Sequence, residues 1–594
     1  MDRGPGPGGA SRRQAIVKPK NTKQTTRRLL SYLKGSMGLF VLAMVLMVLS
    51  TGTSLVAGYM IRPLINDYII PGDIPGLLWM LVGMAVVYVV GVVASFFQNR
   101  ILISISQRTV RNMRDDLFQK MQRLPLRYFD THSHGDIMSR FTNDMESISN
   151  SLGNALTQLA SSFLTVVGLL ALMISISPIL TGITIVMIPI LFVVVGQIMK
   201  RSRKYYAQRQ ESLGALNGFI EEMVEGQKVV KVFSREEKLK GEFDGLNEAQ
   251  RVNATKAEIF SGIAMPIVQN MNLINYAFTA AIGGLLSIGR GLDIGGLAVF
   301  LNYSRQFAQP LNQISSQLNS MQSALAGAER VFEMMDEEPE AIADNPSPKE
   351  VQGDVRFEHV YFSYEEGKPV LKDINIDVKA GQKVALVGST GAGKTTIINL
   401  LTRFYEVDSG RITMDGVDIR NMDLYSVRHE LGLVLQDTHL FTGTVMENIR
   451  YGNLDANDDE CMAAARLVHA DSFISRLPQG YQTPLTADGM NLSEGQRQLL
   501  GIARTAVEDP PILILDEATS SIDTRTERLI QQGMDYLMAG RTSFVIAHRI
   551  STIVSADIIC VIEDGEIIEK GSHEELVALG GRYAALYAGQ FQLE

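Results

Sequence analysis

A charge-free stretch from Gly38 to Met60 constrains the fold of this 594-residue chain more than any other feature. It includes the run L-F-V-L-A-M-V-L-M-V-L and, as a helix, is long enough to cross about 30 Å of hydrocarbon. Similar candidates follow at Ile74 to Gln98, Leu152 to Ile174, Ile179 to Met199 and Phe260 to Ile288, with a shorter, more polar one at Ile294 to Tyr303. The pattern predicts an all-α membrane domain with six spans.

Basic residues are unevenly distributed among the connecting segments. The segments after the second and fourth spans are long, helical in pattern and basic: Arg100, Arg108, Arg111 and Arg114, then Lys200, Arg201, Arg203 and Lys204. The loops after the first and fifth spans hold little more than Arg62 and Arg290. By the positive-inside rule, the long arms and both termini face the cytoplasm. Pro178, between the third and fourth spans, predicts an antiparallel helical hairpin.

Composition sets the domain boundaries and excludes some functions. Residues 1–24 are predicted to be a disordered tail with no cleaved leader, 25–334 the membrane domain, 335–353 an acidic, proline-containing linker, and 354–594 a soluble α/β domain. The net charge of −9 includes no basic stripe, which argues against nucleic acid as a partner. Cys461 and Cys560 have no neighbour at metal-ligand spacing, so we expect both to be core residues in a reducing compartment.

The second half contains a phosphate-binding loop. Residues 388–396 read G-S-T-G-A-G-K-T-T, which matches G-x-x-x-x-G-K-[ST]. A strand pattern, Lys383 to Val387, precedes the loop, and a helix pattern, Ile397 to Leu401, follows it. Backbone N–H groups would hold the phosphates, Lys394 would reach the outer ones, and the Thr395 hydroxyl would bind magnesium. The loop residues are Gly388, Ser389, Thr390, Gly391, Ala392, Gly393, Lys394, Thr395 and Thr396.

Two acidic residues follow a second buried strand, Ile512 to Leu515. Ligands gather at the carboxyl ends of strands in open α/β sheets, so Asp516 is suited to magnesium and Glu517 to activating a water molecule. The alternative is a solvated strand end. A third strand pattern ends at Tyr364, whose ring could stack on adenine or pack on the sheet.

The pentapeptide L-S-E-G-Q, Leu492 to Gln496, precedes a helical pattern. Ser493, Gly495 and Gln496 would form an anion site from backbone N–H groups and the helix dipole. Alone, these residues would form only a helix cap.

Taken together, these motifs resemble those of the ATP-binding cassette exporters over nearly the whole chain. The nearest likeness is the subunit with the intact catalytic glutamate in heterodimeric bacterial multidrug exporters. The resemblance implies a membrane domain followed by a P-loop NTPase cassette that uses ATP and Mg2+. It also implies that Tyr364 stacks on adenine, that Gln436 and Asp516 contact magnesium, and that Glu517 and His548 are catalytic. Asp523 would lie in a loop at the interface between two cassettes.

In this family each ATP lies between the phosphate loop of one cassette and the signature helix of another. The resemblance therefore implies a second half-transporter subunit as a partner. This chain departs from the usual L-S-G-G-Q by Glu494, and T-A-D-G-M-N precedes the motif. A carboxylate near phosphates repels them unless it faces solvent, so we expect two unequal sites in a heterodimer rather than a homodimer.

Polar residues crowd the last two spans: Gln269, Asn270, Asn272, Asn275, Asn302, Ser304 and Gln306. Such groups either line a cavity or bond between helices. We favour a cavity for small amphipathic substrates, with methionines and aromatic residues nearby. These are Met265, Met271, Tyr276, Phe278 and Tyr303.

The chain is therefore expected to export amphipathic or hydrophobic compounds, of the multidrug type, across a bacterial inner membrane with ATP. It would contact membrane lipid, with the cassette in the cytoplasm. Lipid or peptide export shares the architecture and stays open. A non-transport ATPase is the remaining alternative, against which the charge-free spans argue.

Overall fold

The computed structural model describes residues 21–289, 291–340, 351–365, 367–435, 438–516, 523–547 and 550–591. It divides into two compact units. The first comprises Met1–Gln122 and His132–Glu337, and the second comprises Arg123–Thr131 and Glu338–Glu594.

The first unit is built from helices throughout its described part. They are α1 (Thr22–Leu33), α2 (Met37–Tyr59), α3 (Ile61–Pro63), α4 (Ile74–Met121), α6 (His134–Ser139), α7 (Met145–Asn150), α8 (Leu156–Ile176), α9 (Pro178–Glu225), α10 (Gln227–Val232), α11 (Glu236–Gly262), α12 (Ala264–Ile288), α13 (Ile294–Gln306) and α14 (Ala308–Asp336). Short π-helical segments at Leu64–Ile69, Arg140–Asp144 and Ser151–Ala155 join some of them. Helix α1 begins at Thr22, so residues 22–24 are helical although we predicted them in the disordered tail.

By length and composition, four helical stretches of the described part can cross a membrane. They are Thr22–Ile69, Ile74–Met121, His134–Ile176 and Glu236–Ile288, and a shorter apolar stretch is Pro178–Met187. The first, second, third and fifth predicted spans lie in these stretches. The predicted fourth and sixth spans lie in α9 and α13, which are helical, and the six-span count stays a prediction.

The tight connection predicted at Pro178 is confirmed. Helix α8 ends at Ile176 and α9 begins at Pro178, because proline suits the first turn of a helix, where its missing N–H is not needed. The Ser177 hydroxyl caps α9 by accepting a hydrogen bond from the Leu180 N–H, at 3.4 Å.

Buried contacts tie these helices together. Leu169, Met173 and Leu180 pack with Phe300 in one apolar cluster. In the same cluster, the buried Tyr303 donates a hydrogen bond from its hydroxyl to the Leu55 carbonyl, at 2.7 Å. Tyr303 thus serves helix packing rather than a cavity.

The second unit is an α/β domain. Its strands are β1 (Val355–Phe362), β2 (Leu371–Val378), β3 (Lys383–Val387), β4 (Ser409–Met414), β5 (Val417–Asp418), β6 (Leu431–Val434), β7 (Gly443–Thr444), β8 (Pro484–Leu485), β9 (Ile512–Asp516), β10 (Thr542–Ile546), β11 (Ile558–Glu563) and β12 (Glu566–Gly571). Within the described residues, one sheet has the order β12-β11-β3-β10-β9-β6, a second has β2-β1-β4-β5, and β7 pairs with β8. Strands β11, β3, β10, β9 and β6 run parallel, whereas β12 is antiparallel.

This unit also contains helices. They are α5 (Leu126–Thr131), α15 (Lys394–Leu401), α16 (Leu424–His429), α17 (Val445–Arg450), α18 (Asp458–Leu467), α19 (Asp471–Ile474), α20 (Glu494–Glu508), α21 (Thr524–Met538), α22 (Ile550–Val554), α23 (His573–Leu579) and α24 (Arg582–Phe591). One apolar core lies between the two larger sheets and α15, and a second lies between the larger sheet and α17 to α21.

The sequence places most of these elements correctly. Strands β3 and β9 and the helix after L-S-E-G-Q lie where they are predicted. The prediction that a strand extends to Tyr364 is wrong, because this strand, β1, ends at Phe362 and Tyr364 lies in the following turn. The two cysteines are buried, as expected.

Candidate functional site

The phosphate loop connects β3 to α15, and two glycines make its backbone possible. Gly393 has φ +109°, a left-handed conformation that strongly favours glycine. A side chain on Gly388 would place its Cβ 2.2 Å from the carbonyl oxygen of Ile562, so the loop can approach β11 only without one. The loop therefore lies at the carboxyl end of β3, as its motif predicts.

Lys394 lies over this loop and is buried. Its ammonium donates hydrogen bonds to the carbonyls of Gly388, at 2.8 Å, and Ser389, at 2.9 Å. Burial lowers the pKa of Lys394, and the nearby Asp516 carboxylate opposes that effect. Because burial disfavours the charged ammonium, a nearby anion stabilises it. Lys394 is therefore suited to bind the phosphates of a nucleotide.

The groups suited to magnesium are close to this ammonium in the fold. Thr395 is exposed in the first turn of α15, and Asp516 is half-buried at the carboxyl end of β9, two strands from β3. A hydroxyl and a carboxylate are the hard oxygen ligands that Mg2+ prefers. The residues present therefore fit a magnesium-nucleotide complex.

Tyr364 is anchored beside the loop by its hydroxyl and its ring. The hydroxyl lies 3.3 Å from Thr396 Oγ1 and accepts a hydrogen bond from Asn399 Nδ2 at 3.2 Å. The ring packs edge-on against Phe362 and Tyr405, with centroids 4.8 and 4.9 Å apart. The ring of Tyr364 packs on its neighbours yet stays half exposed, so both packing and stacking on adenine are compatible with its position.

The L-S-E-G-Q segment, Leu492 to Gln496, forms the N-terminal cap of α20. Ser493 caps α20 in a capping box with Gln496: Gln496 Oε1 accepts from the Ser493 N–H at 3.0 Å, and Ser493 Oγ accepts from the Gln496 N–H at 3.4 Å. Gly495 is buried, whereas Glu494 is exposed in the first turn. A carboxylate there stabilises the helix through its dipole, so Glu494 has a favourable local role.

Asp523 also caps a helix. Its carboxylate accepts hydrogen bonds from the N–H groups of Arg525 and Thr526, at 3.2 and 3.0 Å, at the start of α21. Hydrogen bonds from Thr526 hold the pKa of Asp523 below its usual range. The predicted residues Gln436, Glu517 and His548 lie outside the described residues.

One segment of the arm that follows the second predicted span belongs to the cassette unit. Helix α5 lies on the cassette, where Arg127 donates to the Tyr364 carbonyl at 3.4 Å and the Tyr405 hydroxyl donates to the Asp130 carboxylate. Burial, and then this hydrogen bond, raise the pKa of Tyr405. Residues Arg123–Thr131 are therefore part of the same compact unit as the cassette.

The sequence predicts neither Asn399 nor Tyr405 as site residues. Asn399 lies one turn beyond Thr396 on α15, so helical periodicity could have placed it on the same face. Tyr405 reaches Tyr364 only through the fold, and one sequence carries no signal for that contact.

A cavity of about 70 Å³ lies inside the first unit, between α9, α12 and the junction of α13 with α14. Of the polar residues predicted to line a cavity, Asn272, Asn275 and Ser304 do so. Asn275 also bonds between helices, since its Nδ2 donates to Ser304 Oγ at 2.9 Å. Asn275 and Ser304 therefore both line the cavity and form a hydrogen bond between two helices.

Three of the other polar residues of the last two spans form hydrogen bonds within their own helices. Asn270 Nδ2 donates to the Pro266 carbonyl at 2.8 Å, and Gln306 Nε2 donates to Asn302 Oδ1 at 3.0 Å. Of the nearby methionines and aromatic residues, Met271 lines the cavity, whereas Met265, Tyr276 and Phe278 are exposed.

Both units match known families. Residues 40–311 match the ABC transporter transmembrane region and residues 371–520 match the ABC transporter domain. The chain belongs to the ABC transporter family and is an exporter half-transporter, with a membrane domain and one ATP-binding cassette. It is an ATP hydrolase whose activity is coupled to transport.

Several relatives share almost the whole length of the chain. An uncharacterized ABC transporter ATP-binding protein of Bacillus subtilis is 45% identical over 578 residues, which cover 97% of this chain and 96% of that protein. A fatty acid ABC transporter ATP-binding/permease protein of Mycobacterium bovis is 43% identical over 496 residues, or 84% and 79% of the two chains. An ATP-dependent lipid A-core flippase of Nitrosococcus oceani is 35% identical over 571 residues, 95% of each chain.

Proposed function

We propose that this half-transporter uses ATP to export amphipathic, lipid-like compounds across a bacterial inner membrane, with the cassette and both termini in the cytoplasm. The observation that carries the proposal is the cavity between α9, α12 and α14, where amide side chains stand beside methionine and phenylalanine. The names of two relatives, a fatty acid transporter and a lipid A-core flippase, favour lipid-like cargo over the multidrug type predicted from the sequence. Multidrug export stays the second candidate.

In the nucleotide site, each residue has a proposed role. Lys394 and the N–H groups of residues 388–396 bind the phosphates, Thr395, Gln436 and Asp516 bind Mg2+, and Tyr364 stacks on adenine. Glu517 accepts a proton from the attacking water, and His548 contacts the outer phosphate. Bound magnesium would neutralise charge on the phosphates.

The partner is proposed to be a second half-transporter subunit. Helix α10 and its flanks expose four apolar side chains: Val224, Val229, Val232 and Phe233, which are 71%, 60%, 77% and 68% exposed. An exposed apolar surface of this kind supports contact with another protein. Ser493, Gly495, Gln496 and Asp523 would then face the partner's nucleotide.

We propose a different chain as that partner, because Glu494 stands where the signature usually has glycine. Tagged copies of this chain, expressed alone, provide the test. We expect an incomplete transporter with weak ATPase activity. A stable homodimer with full ATPase activity and transport would contradict the heterodimer.

Transport itself is tested in inverted membrane vesicles that contain the assembled transporter in their membrane. ATP should drive uptake of at least one fluorescent lipid analogue from a set with charged and uncharged head groups, and Glu517→Gln should remove uptake and ATPase activity while ATP still binds. Uptake of cationic dyes but of no lipid analogue would favour multidrug export instead. Unchanged turnover in the Glu517→Gln variant would show that another group activates the water.

A further inference from the structure

A buried amide in the first unit lacks one hydrogen-bond partner. Asn275 is only 9% exposed, and while its Nδ2 donates to Ser304, its Oδ1 has no partner among the residues that the structure describes. A buried carbonyl oxygen left unpaired destabilises its surroundings until a donor reaches it. The site is therefore short of one hydrogen-bond donor.

The space beside this amide is large enough for such a donor. The cavity of about 70 Å³ holds several water-sized groups, and further polar side chains line it: Thr184, Asn272 and Asn312. Pro189 interrupts the hydrogen bonding of α9 between two of its lining residues, Met187 and Val195. Amide groups both donate and accept hydrogen bonds, so they can pair with a group that does the same.

The cavity offers nothing to a charged head group. None of the described residues that line it is acidic or basic, and Arg305, next to Ser304, is exposed and is not among them. A phosphate or an ammonium entering this space would lose its water without gaining an opposite charge, which is strongly unfavourable. The occupant's polar group is therefore uncharged.

The remaining walls are apolar. Met187, Met271, Phe307 and Leu311 line the cavity beside the amides. Methionine side chains adapt to irregular apolar shapes, so these residues suit the first carbons of an acyl chain. The cavity thus combines a small polar pocket with an apolar wall.

We propose that this cavity binds the head group of amphipathic lipids that are uncharged and carry a hydroxyl or amide, such as a monoacylglycerol. The ligand donates to Asn275 Oδ1 and accepts from the neighbouring amides. This assignment rests on the proposed export of lipid-like compounds and adds the class of head group.

The test measures ATPase stimulation of the purified transporter, in its assembled form in nanodiscs, by three amphipaths with the same acyl chain. They are monoolein, which is neutral, oleoyl lysophosphatidate, which is anionic, and oleylamine, which is cationic. We expect half-maximal stimulation by monoolein at a concentration at least about tenfold lower than by the other two. Equal stimulation by all three would overturn the head-group assignment and leave lipid export standing, whereas no stimulation by any of them would overturn both.

Variants locate the effect. Asn275→Leu should raise the half-maximal monoolein concentration by about tenfold, the scale of one lost hydrogen bond to a buried group. Thr279→Val is the matched control, because Thr279 is buried on the same helix and its hydroxyl is also unpaired within the described residues, but it does not line the cavity. An unchanged monoolein response in Asn275→Leu, as expected if only water occupies the cavity, contradicts the proposal.

Asn275→Asp distinguishes a change in ligand binding from misfolding, because it keeps the shape of the side chain and adds a negative charge. Its preference should shift from monoolein toward oleylamine, a gain that an unfolded protein cannot show. A variant that folds, as judged by basal ATPase activity, and keeps the preference for monoolein would also contradict the proposal.

Discussion

The hydroxyl of Tyr364 lies 3.3 Å from Thr396 Oγ1 and accepts a hydrogen bond from Asn399, so the ring proposed to hold adenine is tied to the helix that follows the phosphate loop. These bonds orient the ring, while stacking on a base depends on its aromatic face. The two contributions can be separated by mutation.

Tyr364→Leu removes the aromatic face and should raise the Kd for ATP by about tenfold, since stacking of a base on an aromatic ring contributes about 1–3 kcal/mol. Tyr364→Phe keeps the face and loses only the hydroxyl bonds, so its Kd should rise less than about threefold. Equilibrium binding of a fluorescent ATP analogue measures both. Equal losses in the two variants would show that the hydroxyl bonds, and not the aromatic face, support ATP binding.

Lys394 is buried and held by two loop carbonyls, at 2.8 and 2.9 Å. Lys394→Met should lower ATPase activity by at least about a hundredfold, because a buried cation at the phosphates is lost. Lys379→Met removes an exposed lysine of the same domain, with a side chain 54% exposed, and should leave turnover unchanged. Comparable loss in both variants would point to a general effect of charge.

The Tyr405 hydroxyl donates to Asp130 of α5, a helix that belongs to the cassette unit. Tyr405→Phe and Asp130→Asn should each reduce substrate-stimulated ATPase activity two- to fivefold, while ATP binding stays normal. The double variant should be no worse than either single variant, because both break the same bond. Additive losses would show that the two residues act separately.

Glu508 is half-buried at the end of α20, and burial raises its pKa to about 7. Its pKa in the unfolded chain is about 4.3, so folding favours the protonated form. The stabilisation that protonated Glu508 retains below about pH 4 is therefore lost progressively as the pH rises through about 7. The cassette should be more stable at pH 5 than at pH 8 on account of this group.

Glu508→Gln should raise the unfolding temperature of the cassette by about 2–4 °C at pH 8, which corresponds to about 1 kcal/mol after allowing for partial exposure. It should change the temperature little at pH 5. Differential scanning calorimetry measures both, with Glu338→Gln as an exposed control. A gain of equal size at both pH values would exclude ionisation as the cause.

Local features were predictable because their cause lies within a few residues. Glycines and Lys394 define the loop between β3 and α15, the alternation of apolar residues defines β9, and Ser493 with Gln496 marks the start of α20. Pro178 likewise marks the α8–α9 hairpin. Where the local signal fades the prediction fails, as at Tyr364, where an aromatic residue continues the strand pattern although the backbone already turns.

Contacts between distant residues were not predictable in this way. Helical and strand periodicity show which side chains share a face, and so the sequence indicated membrane helices, the nucleotide loop and the crowding of polar residues in the last two spans. Periodicity does not show which faces meet. The fold alone brings Asn275 against Ser304, leaves the Asn275 oxygen facing a cavity, and places Asp130 beside Tyr405, because each contact depends on the packing of elements far apart in the chain.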